Sequence, residues 1–236
     1  MHLIAFFYNF LHAIANVDFA NYSYVALADQ DDIFKPNKFI KLLNYLKLSN
    51  YSGCSSSVQC FGNSKKILKQ SKNITKLDFL FEGAGQGCSF VLKSSVMSNF
   101  KDFCQSNQKI ISQFYYHDWL IYLYFRASNL KWGFYCDDEL TQYRIHNFNN
   151  TGNKYSYRGI KHRCKKLLNG WYFNQVITAN NIARKINKEI PDLTEINFFP
   201  FLRLLLFCGR RKYSDRIFAC LPLLFIYSLK RIKNFL

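Results

Sequence analysis

The sequence predicts an α/β fold in which amphipathic helices alternate with short buried strands. Three segments near the amino terminus carry this expectation. Apolar residues recur at helical spacing from Leu3 to Ile14, and the apolar run Tyr24 to Ala28 is typical of a buried strand. The segment Pro36 to Leu48 is amphipathic, with proline in its first turn. We therefore expect a helix, a strand and a second helix in that order.

Three carboxylates, Asp29, Asp31 and Asp32, follow this strand within four positions. Ligands of open α/β sheets bind at the carboxyl ends of strands. Clustered carboxylates repel one another, so they persist mainly where a cation offsets the repulsion. Mg²⁺ and Mn²⁺ prefer such oxygen ligands and complete their coordination with substrate phosphate and water. We expect a divalent metal, Mn²⁺ or Mg²⁺, that holds a phosphorylated substrate.

The acidic segment has two other possible interpretations, a calcium-binding loop and a helix cap. An EF-hand calcium loop beginning at Asp29 needs glycine and glutamate where the chain has Phe34 and Ile40, so it is excluded. Alternatively, Asp32 caps the helix that begins near Pro36. A cap leaves the other two carboxylates unexplained. The metal interpretation is therefore favoured, and a capping role stays open for Asp32.

The rest of the chain continues the alternation of strands and helices. An aromatic, apolar helix is expected after Asp118, and the polar segment Tyr51 to Ser57 is typical of a loop. Strands are expected at Ser56–Phe61, Phe90–Leu92 and Lys131–Tyr135.

Three further segments carry groups suited to chemistry. His117 and Asp118 lie at the start of the aromatic helix, where a carboxylate is either a cap or a general base. Alternate glycines at positions 83–87 permit a close approach of backbone to a ligand, or form a plain turn. Arg144 and His146 lie in a loop, where arginine is either a phosphate ligand or a surface charge.

Composition narrows the class of protein. With 236 residues the chain is long enough for one or two domains with a real core. Its eight cysteines form no C-x-x-C pair, which favours free thiols in a reducing cytosol over disulfides or zinc. The net charge of +17 is concentrated in residues 151–236, which hold 17 Lys+Arg and 4 Asp+Glu. Such a region suits an anionic partner.

The residues between these charges indicate which partner. The apolar runs Phe198–Cys208 and Ile217–Leu229, flanked by basic residues such as Arg210 and Arg211, are shorter than the ~20 residues of a membrane-spanning helix. They are typical of interfacial helices held against anionic lipid, or of helices packed on the catalytic domain. No recognised RNA or DNA module is present, so we expect no nucleic-acid partner.

In this order, the motifs resemble family-two glycosyltransferases of the GT-A fold, and most of all the rhamnosyltransferase-type members that build bacterial O-antigen and capsular polysaccharide. The resemblance covers about residues 1–175. It rests on Asp29-Gln30-Asp31-Asp32-Ile33-Phe34-Lys35-Pro36-Asn37-Lys38, Gly85-Gln86-Gly87-Cys88-Ser89-Phe90, His117-Asp118-Trp119-Leu120-Ile121-Tyr122, Tyr143-Arg144-Ile145-His146-Asn147 with Asn149-Asn150-Thr151-Gly152, and Gly170-Trp171-Tyr172.

The resemblance implies a role for each matching residue. Asp29 and Asp31 match the D-x-D element that contacts the metal and the nucleotide, and Asp32 supports them. Asp118 matches the base that deprotonates the acceptor hydroxyl. Arg144 and His146, with Tyr143, match a motif over the donor pyrophosphate or the acceptor. The acceptor side of the site is formed by Gly85, Gly87, Cys88, His117 and Trp119.

The resemblance also implies an organisation. The fold is a GT-A-like, Rossmann-like mixed sheet flanked by helices, with residues 1–153 as a partial glycosyltransferase domain and residues 154–236 as a basic, apolar, helical tail near the membrane. Two departures stand out. Ile145 occupies a position where the family commonly has glutamine, and Met1 falls on the helix before the D-x-D strand, where such enzymes first have a unit that recognises the nucleoside. The chain is therefore expected to be amino-terminally truncated.

Two functions follow from these features. The first is a metal-dependent, inverting glycosyltransferase in cell-surface polysaccharide synthesis, taking a sugar such as rhamnose from a nucleoside-diphosphate donor, with dTDP-rhamnose suggested by the resemblance. Its acceptor is a lipid-linked glycan, and its location is cytoplasmic, peripheral to the inner face of the bacterial membrane. The alternative is an inactive remnant or a membrane-associated interaction module that keeps the motifs without turnover.

Overall fold

The computed structural model describes residues 2–63, 65–69, 73–145, 157–221 and 224. The helices are α1 (His2–Asn16), α2 (Lys38–Leu48), α3 (Ser94–Ser106), α4 (Gln108–Ile111), α5 (His117–Ala127), α6 (Tyr157–Leu168), α7 (Trp171–Ile186) and α8 (Phe198–Leu204), followed by a π-helical turn at Leu205–Gly209 and a helix over residues 213–221. The strands are β1 (Tyr24–Ala26), β2 (Ile33–Phe34), β3 (Gly53–Ser56), β4 (Val58–Gly62), β5 (Ile67–Leu68), β6 (Val91–Lys93), β7 (Trp132–Tyr135) and β8 (Thr141–Ile145).

The strands form two four-stranded sheets, in the orders β1-β6-β3-β7 and β2-β8-β4-β5. Each sheet is mixed: β3 runs parallel to β7 and β4 runs parallel to β8, while the other neighbours are antiparallel. Helices α2 and α3 pack on the first sheet. The predicted α/β class, with mixed sheets flanked by helices, is confirmed.

The predicted helices and most of the predicted strands are confirmed, with bounds that shift by a few residues. The strand expected to be buried before Asp29 is instead a partly exposed edge strand, β1, because it has only one neighbour among the strands that the structure describes. Helix α1 covers the apolar repeat at the amino terminus, α2 begins two residues after Pro36, and α5 begins at His117. The strands expected at residues 56–61, 90–92 and 131–135 correspond to β4, β6 and β7. The loop expected around Arg144 is wrong at that residue, because Arg144 lies in strand β8.

The loop predicted at residues 51–57 is wrong, because Gly53–Ser56 forms the buried strand β3 in the middle of the first sheet. Its residues are small and mostly polar, so a search for apolar periodicity does not detect this strand. Their size is what the position requires: a Cβ atom on Gly53 would lie 2.8 Å from the ring of Trp132 and 3.0 Å from Leu92. Large neighbouring side chains fill the space that β3 leaves.

The main core lies around α5, whose residues Leu120, Ile121, Tyr122, Leu123 and Phe125 have no exposed surface. Helix α7 and the single turn Asp78–Leu80 pack against this helix. Because α5 is fixed along its whole length, its first turn has a defined position relative to the sheet.

The carboxyl-terminal region also contributes to this core. The π-helical turn Leu205–Gly209 packs on the Asp78–Leu80 turn. Arg211, one of the basic residues expected to face lipid, is only 7% exposed, and its guanidinium contacts Asp78 and the Gly83 carbonyl. Within the described part of the chain, no helix has the length and apolar character needed to cross a membrane.

Candidate active site

The pairing of two strands places the acidic segment. Strand β1 runs antiparallel to β6, with Ala26 opposite Val91. The residues that follow Ala26 therefore run beside those that precede Val91, and Asp29 comes to lie beside Cys88. The end of β1 that leads to Asp29 therefore lies next to the segment Gly87–Ser89. The sequence predicts that the motifs around Asp29 and Gly87 form opposite walls of one site, and this proximity fits that prediction.

Three side chains converge at this point. Ligand atoms of Asp29, Asp32 and Cys88 all lie within 4.8 Å of one another. Cys88 is buried, and the two carboxyl groups are partly buried. This is the set of potential metal ligands that the described residues provide, and it differs in part from the expected pair, Asp29 and Asp31.

Asp29 has the most unusual electrostatic environment. Its pKa is raised to about 6, first by burial and then by the negative charges of Asp32, Asp31 and Asp118, in that order. Among the described residues, its buried Oδ1 atom has no hydrogen-bond partner. The influence of Asp118 shows that the predicted base lies close to the acidic segment, although 89 positions separate the two residues in sequence.

Asp32 and Arg144 hold the acidic segment in place. Oδ1 of Asp32 accepts a hydrogen bond from the backbone N–H of Arg144 at 2.9 Å, and Nε of Arg144 donates to the carbonyl oxygen of Asp31 at 3.1 Å. The pairing of β2 with β8 brings these segments together. Asp32 does not cap α2, because Asn37 is the N-cap residue of that helix and makes no side-chain capping bond. The capping alternative is therefore wrong.

Sequence reasoning did not single out Lys38. Its side chain is fully buried, its Nζ donates to the carbonyl oxygen of Cys88 at 2.6 Å, and the same atom lies 3.3 Å from the ring centroid of Phe34. Burial lowers its pKa to about 8, although the nearby charge of Asp32 opposes the shift. Its spacing in the sequence could have indicated this burial, because Lys38 shares the buried face of α2 with Leu42 and Leu46.

The second wall is the first turn of α5. Oδ1 of Asp118 accepts the backbone N–H of Trp119 at 2.8 Å, which orients the carboxylate, and the carboxyl group stays partly exposed. His117 stacks on Phe10 with ring centroids 3.9 Å apart. Burial lowers the pKa of His117 to about 4, so this imidazole is neutral at physiological pH.

The glycines predicted on the acceptor side have two different roles. A Cβ atom on Gly87 would lie 2.9 Å from Nε2 of His117, so only glycine permits this contact between the two walls. Gly85 has a φ of 109°, a conformation that favours glycine. Trp119 is buried, and its indole N–H donates to the carbonyl oxygen of Phe79 at 2.8 Å, which makes it a core residue.

The structure therefore brings together most of the predicted site residues. Those that lie around the Asp29 carboxyl group are Asp31, Asp32, Arg144, Gly87, Cys88, His117 and Asp118. His146 and the amide-rich segment after it lie outside the described residues.

Comparison with known proteins supports the resemblance. The chain is similar to the dTDP-rhamnosyl transferase RfbG of Shigella flexneri, with 32% identity over 222 residues, which is 92% of this chain and 75% of that protein. Among solved structures it is similar to S. aureus TarS 1–349 in complex with UDP-GlcNAc, at 9% identity and a TM-score of 0.40; the alignment covers 89% of this chain but only 60% of the TarS chain. No protein-family model matches. On the evidence of the Shigella relative, the chain belongs to the rhamnosyltransferase-like family of glycosyltransferases.

Proposed function

We propose that this protein transfers rhamnose or a similar sugar from a dTDP-activated donor to a hydroxyl group of a glycan acceptor, with inversion at the anomeric carbon. The donor follows from the name of the Shigella relative. The observation that carries the proposal is the position of Asp118 beside the acidic segment. A Cβ atom on Gly87 would lie 3.6 Å from the Cβ atom of Asp118. The Sγ atom of the adjacent Cys88 lies within 4.8 Å of a carboxylate oxygen of Asp29 and of Asp32. A base for the acceptor and a site for the donor diphosphate then share one location.

The acidic segment fits a divalent metal. The buried Oδ1 of Asp29 has no hydrogen-bond partner among the described residues, and a cation would offset the mutual repulsion of the carboxylates. Asp29 and Asp32 would hold Mn²⁺ or Mg²⁺, with Cys88 adjacent and Asp31 as the other predicted ligand. When bound, such an ion neutralises negative charge that develops on the departing diphosphate.

Asp118 acts as the general base. As the acceptor oxygen forms its bond to the anomeric carbon, the bond from that carbon to the diphosphate oxygen breaks, and the hydroxyl proton moves to the Asp118 carboxylate. Inversion follows because the acceptor attacks from the face opposite the leaving group. The hydrogen bond from the Trp119 N–H to Oδ1 of Asp118 holds the carboxylate in one orientation.

A membrane location suits a lipid-linked glycan acceptor, and we propose that the protein binds the cytoplasmic face of the bacterial inner membrane. Several apolar side chains of the carboxyl-terminal region are 59–67% exposed: Phe199, Phe207, Tyr213 and Leu221. The basic residues Arg203 and Lys212 are exposed in the same segment. Exposed aromatic and basic residues together favour an anionic lipid surface.

Turnover by an Asp118→Asn variant tests the proposal. The substitution keeps the shape of the side chain and removes the base, so we expect the release of dTDP from dTDP-rhamnose in the presence of acceptor to fall by 10²-fold or more. Binding of dTDP should stay within a fewfold of the wild-type value. Asp102, exposed on α3, provides the matched control in Asp102→Asn. A catalytically inactive module would release no dTDP even as the wild-type chain.

A further inference from the structure

Three aromatic rings and one lysine gather beside Asp118. Tyr115 and Tyr116 directly precede α5, Trp171 is the first residue of α7, and Lys166 lies in the last turn of α6. The ring centroid of Trp171 lies 5.2 Å from that of Tyr115 and 6.0 Å from that of Tyr116, with the planes nearly perpendicular. All four side chains are partly exposed. We call these four residues the aromatic–lysine cluster.

The cluster is not an ordinary part of the core. The other two tryptophans, Trp119 and Trp132, are 5% and 2% exposed and each donates its indole N–H to a buried acceptor. Trp171 stays partly exposed and has an ammonium group, that of Lys166, 4.2 Å from its ring centroid.

Lys166 retains unused donors. Its Nζ lies 5.3 Å and 5.6 Å from the ring centroids of Tyr115 and Tyr116, and it donates to the Tyr116 hydroxyl oxygen at 3.1 Å. Burial lowers the pKa of Lys166, and within the described ranges no carboxylate forms an ion pair with it. An ammonium group has three N–H donors, so two remain for a ligand.

The cluster is within reach of the proposed base. Tyr116 precedes Asp118 by two residues, and the charge of Asp118 adds to the effect of burial in raising the pKa of Tyr116. Lys166 and Trp171 come from the carboxyl-terminal helices, so the acceptor side of the site includes residues from outside the amino-terminal region that carries the acidic motif.

We propose that the aromatic–lysine cluster is the subsite for the sugar ring of the acceptor, and that it places one hydroxyl of that sugar at Asp118. A sugar ring presents an apolar C–H face and a rim of hydroxyl oxygens. Trp and Tyr offer rigid surfaces that are apolar on the ring and polar at the tip, and the ammonium group donates to hydroxyl oxygens. This inference rests on the proposed transferase function, and it assigns the acceptor contact to Trp171 and Lys166.

Saturation-transfer NMR with two simple probes, methyl α-rhamnoside and methyl β-glucoside, tests the subsite without turnover. We expect transfer from the wild-type protein to the ring protons of at least one glycoside. Lys166→Met and Trp171→Leu should each reduce the transfer at least fivefold, with Lys166→Met covering the case in which loss of the indole disturbs the fold. The control is Lys165→Met, because Lys165 is exposed on the same helix, and it should leave the transfer unchanged.

The same proteins separate the two proposals. If the wild type binds a glycoside through Trp171 and Lys166 but releases no dTDP from dTDP-rhamnose, the transferase proposal fails and the sugar subsite stands. If turnover is normal and the acceptor KM of both cluster variants equals that of the wild type, the subsite is overturned. A folded wild-type protein that transfers saturation to neither glycoside also overturns it.

Discussion

Two groups of carboxylates in this molecule face opposite electrostatic conditions. The site cluster, Asp29, Asp31 and Asp32, lies at the end of β1. The core ionic cluster joins Asp78 and Glu82 to three arginines: Arg126, Arg210 and Arg211. Asp78 of the core ionic cluster is paired with two arginines, whereas the charges that shift the pKa of Asp29 in the site cluster are all negative.

Asp78 is fully compensated. Its Oδ1 accepts a hydrogen bond from the guanidinium of Arg126 at 2.8 Å. Its Oδ2 accepts hydrogen bonds from the Tyr122 hydroxyl at 2.6 Å and from the Arg211 guanidinium at 3.1 Å. Asp29 is the opposite case, since every charge that acts on it is negative. Even the buried Lys38 directs its hydrogen bond to a backbone carbonyl rather than to a carboxylate. The fold thus supplies arginines to Asp78 in the core, and we propose that Asp29 receives no such cation from the described part of the chain because a ligand binds there.

The largest effect is expected from breaking the core ionic cluster. Asp78→Ala leaves Arg126 and Arg211 buried without their carboxylate, and removing one partner of a buried pair costs about 3–5 kcal/mol. The free energy of unfolding, measured in urea, should fall by about that amount. Asp138→Asn is the matched control, because Asp138 pairs with Lys41 at the surface and its loss should change little. Equal effects of the two substitutions would show that Asp78 does not hold the core.

A smaller effect is expected at the site cluster, where removing a carboxylate should raise the free energy of unfolding instead of lowering it. The pKa of Asp29 is about 6 in the folded protein against 3.8 when unperturbed, so the folded state binds its proton more tightly. Stability associated with this group is therefore retained below pH 4 and lost as pH rises to 6. The loss corresponds to about 2–3 kcal/mol.

Asp29→Asn removes this loss. Without metal, the variant should be more stable than the wild type at pH 8, and the difference should vanish near pH 4. Urea unfolding across this pH range checks both points. Equal free energies of unfolding for the wild type and Asp29→Asn at every pH would contradict the contrast between the two clusters.

The sequence predicted the site better than it predicted the core. Asp29 and Asp118 were recognised because polar groups at strand ends and helix starts are typical of ligand sites. Strand β3 was missed because its side chains are small and polar, and only the surrounding rings of Trp132 and Phe125 explain why it is buried. The capping role open to Asp32 was wrong because the backbone of Arg144, 112 residues away, binds that carboxylate instead.

Burial of cations was the other part that local patterns could not reveal. No burial was predicted for Lys38, and Arg211 was assigned to a basic tail, since isolated lysine and arginine are mostly exposed. Arg211 is buried because Asp78 lies 133 positions earlier in the chain, and no local pattern links the two. Pairing across such separations depends on the whole fold.

We propose that the charges acting on Asp29 are all negative because a metal ion and a nucleoside diphosphate bind there. Calorimetric titration of dTDP into the protein, with and without Mn²⁺, tests this proposal most directly, with Asp29→Asn as the site variant and Asp102→Asn as the control. We expect binding that requires Mn²⁺, is lost in Asp29→Asn and is kept in Asp102→Asn. Binding of equal affinity without the metal, or no binding by the folded wild-type protein, would contradict it.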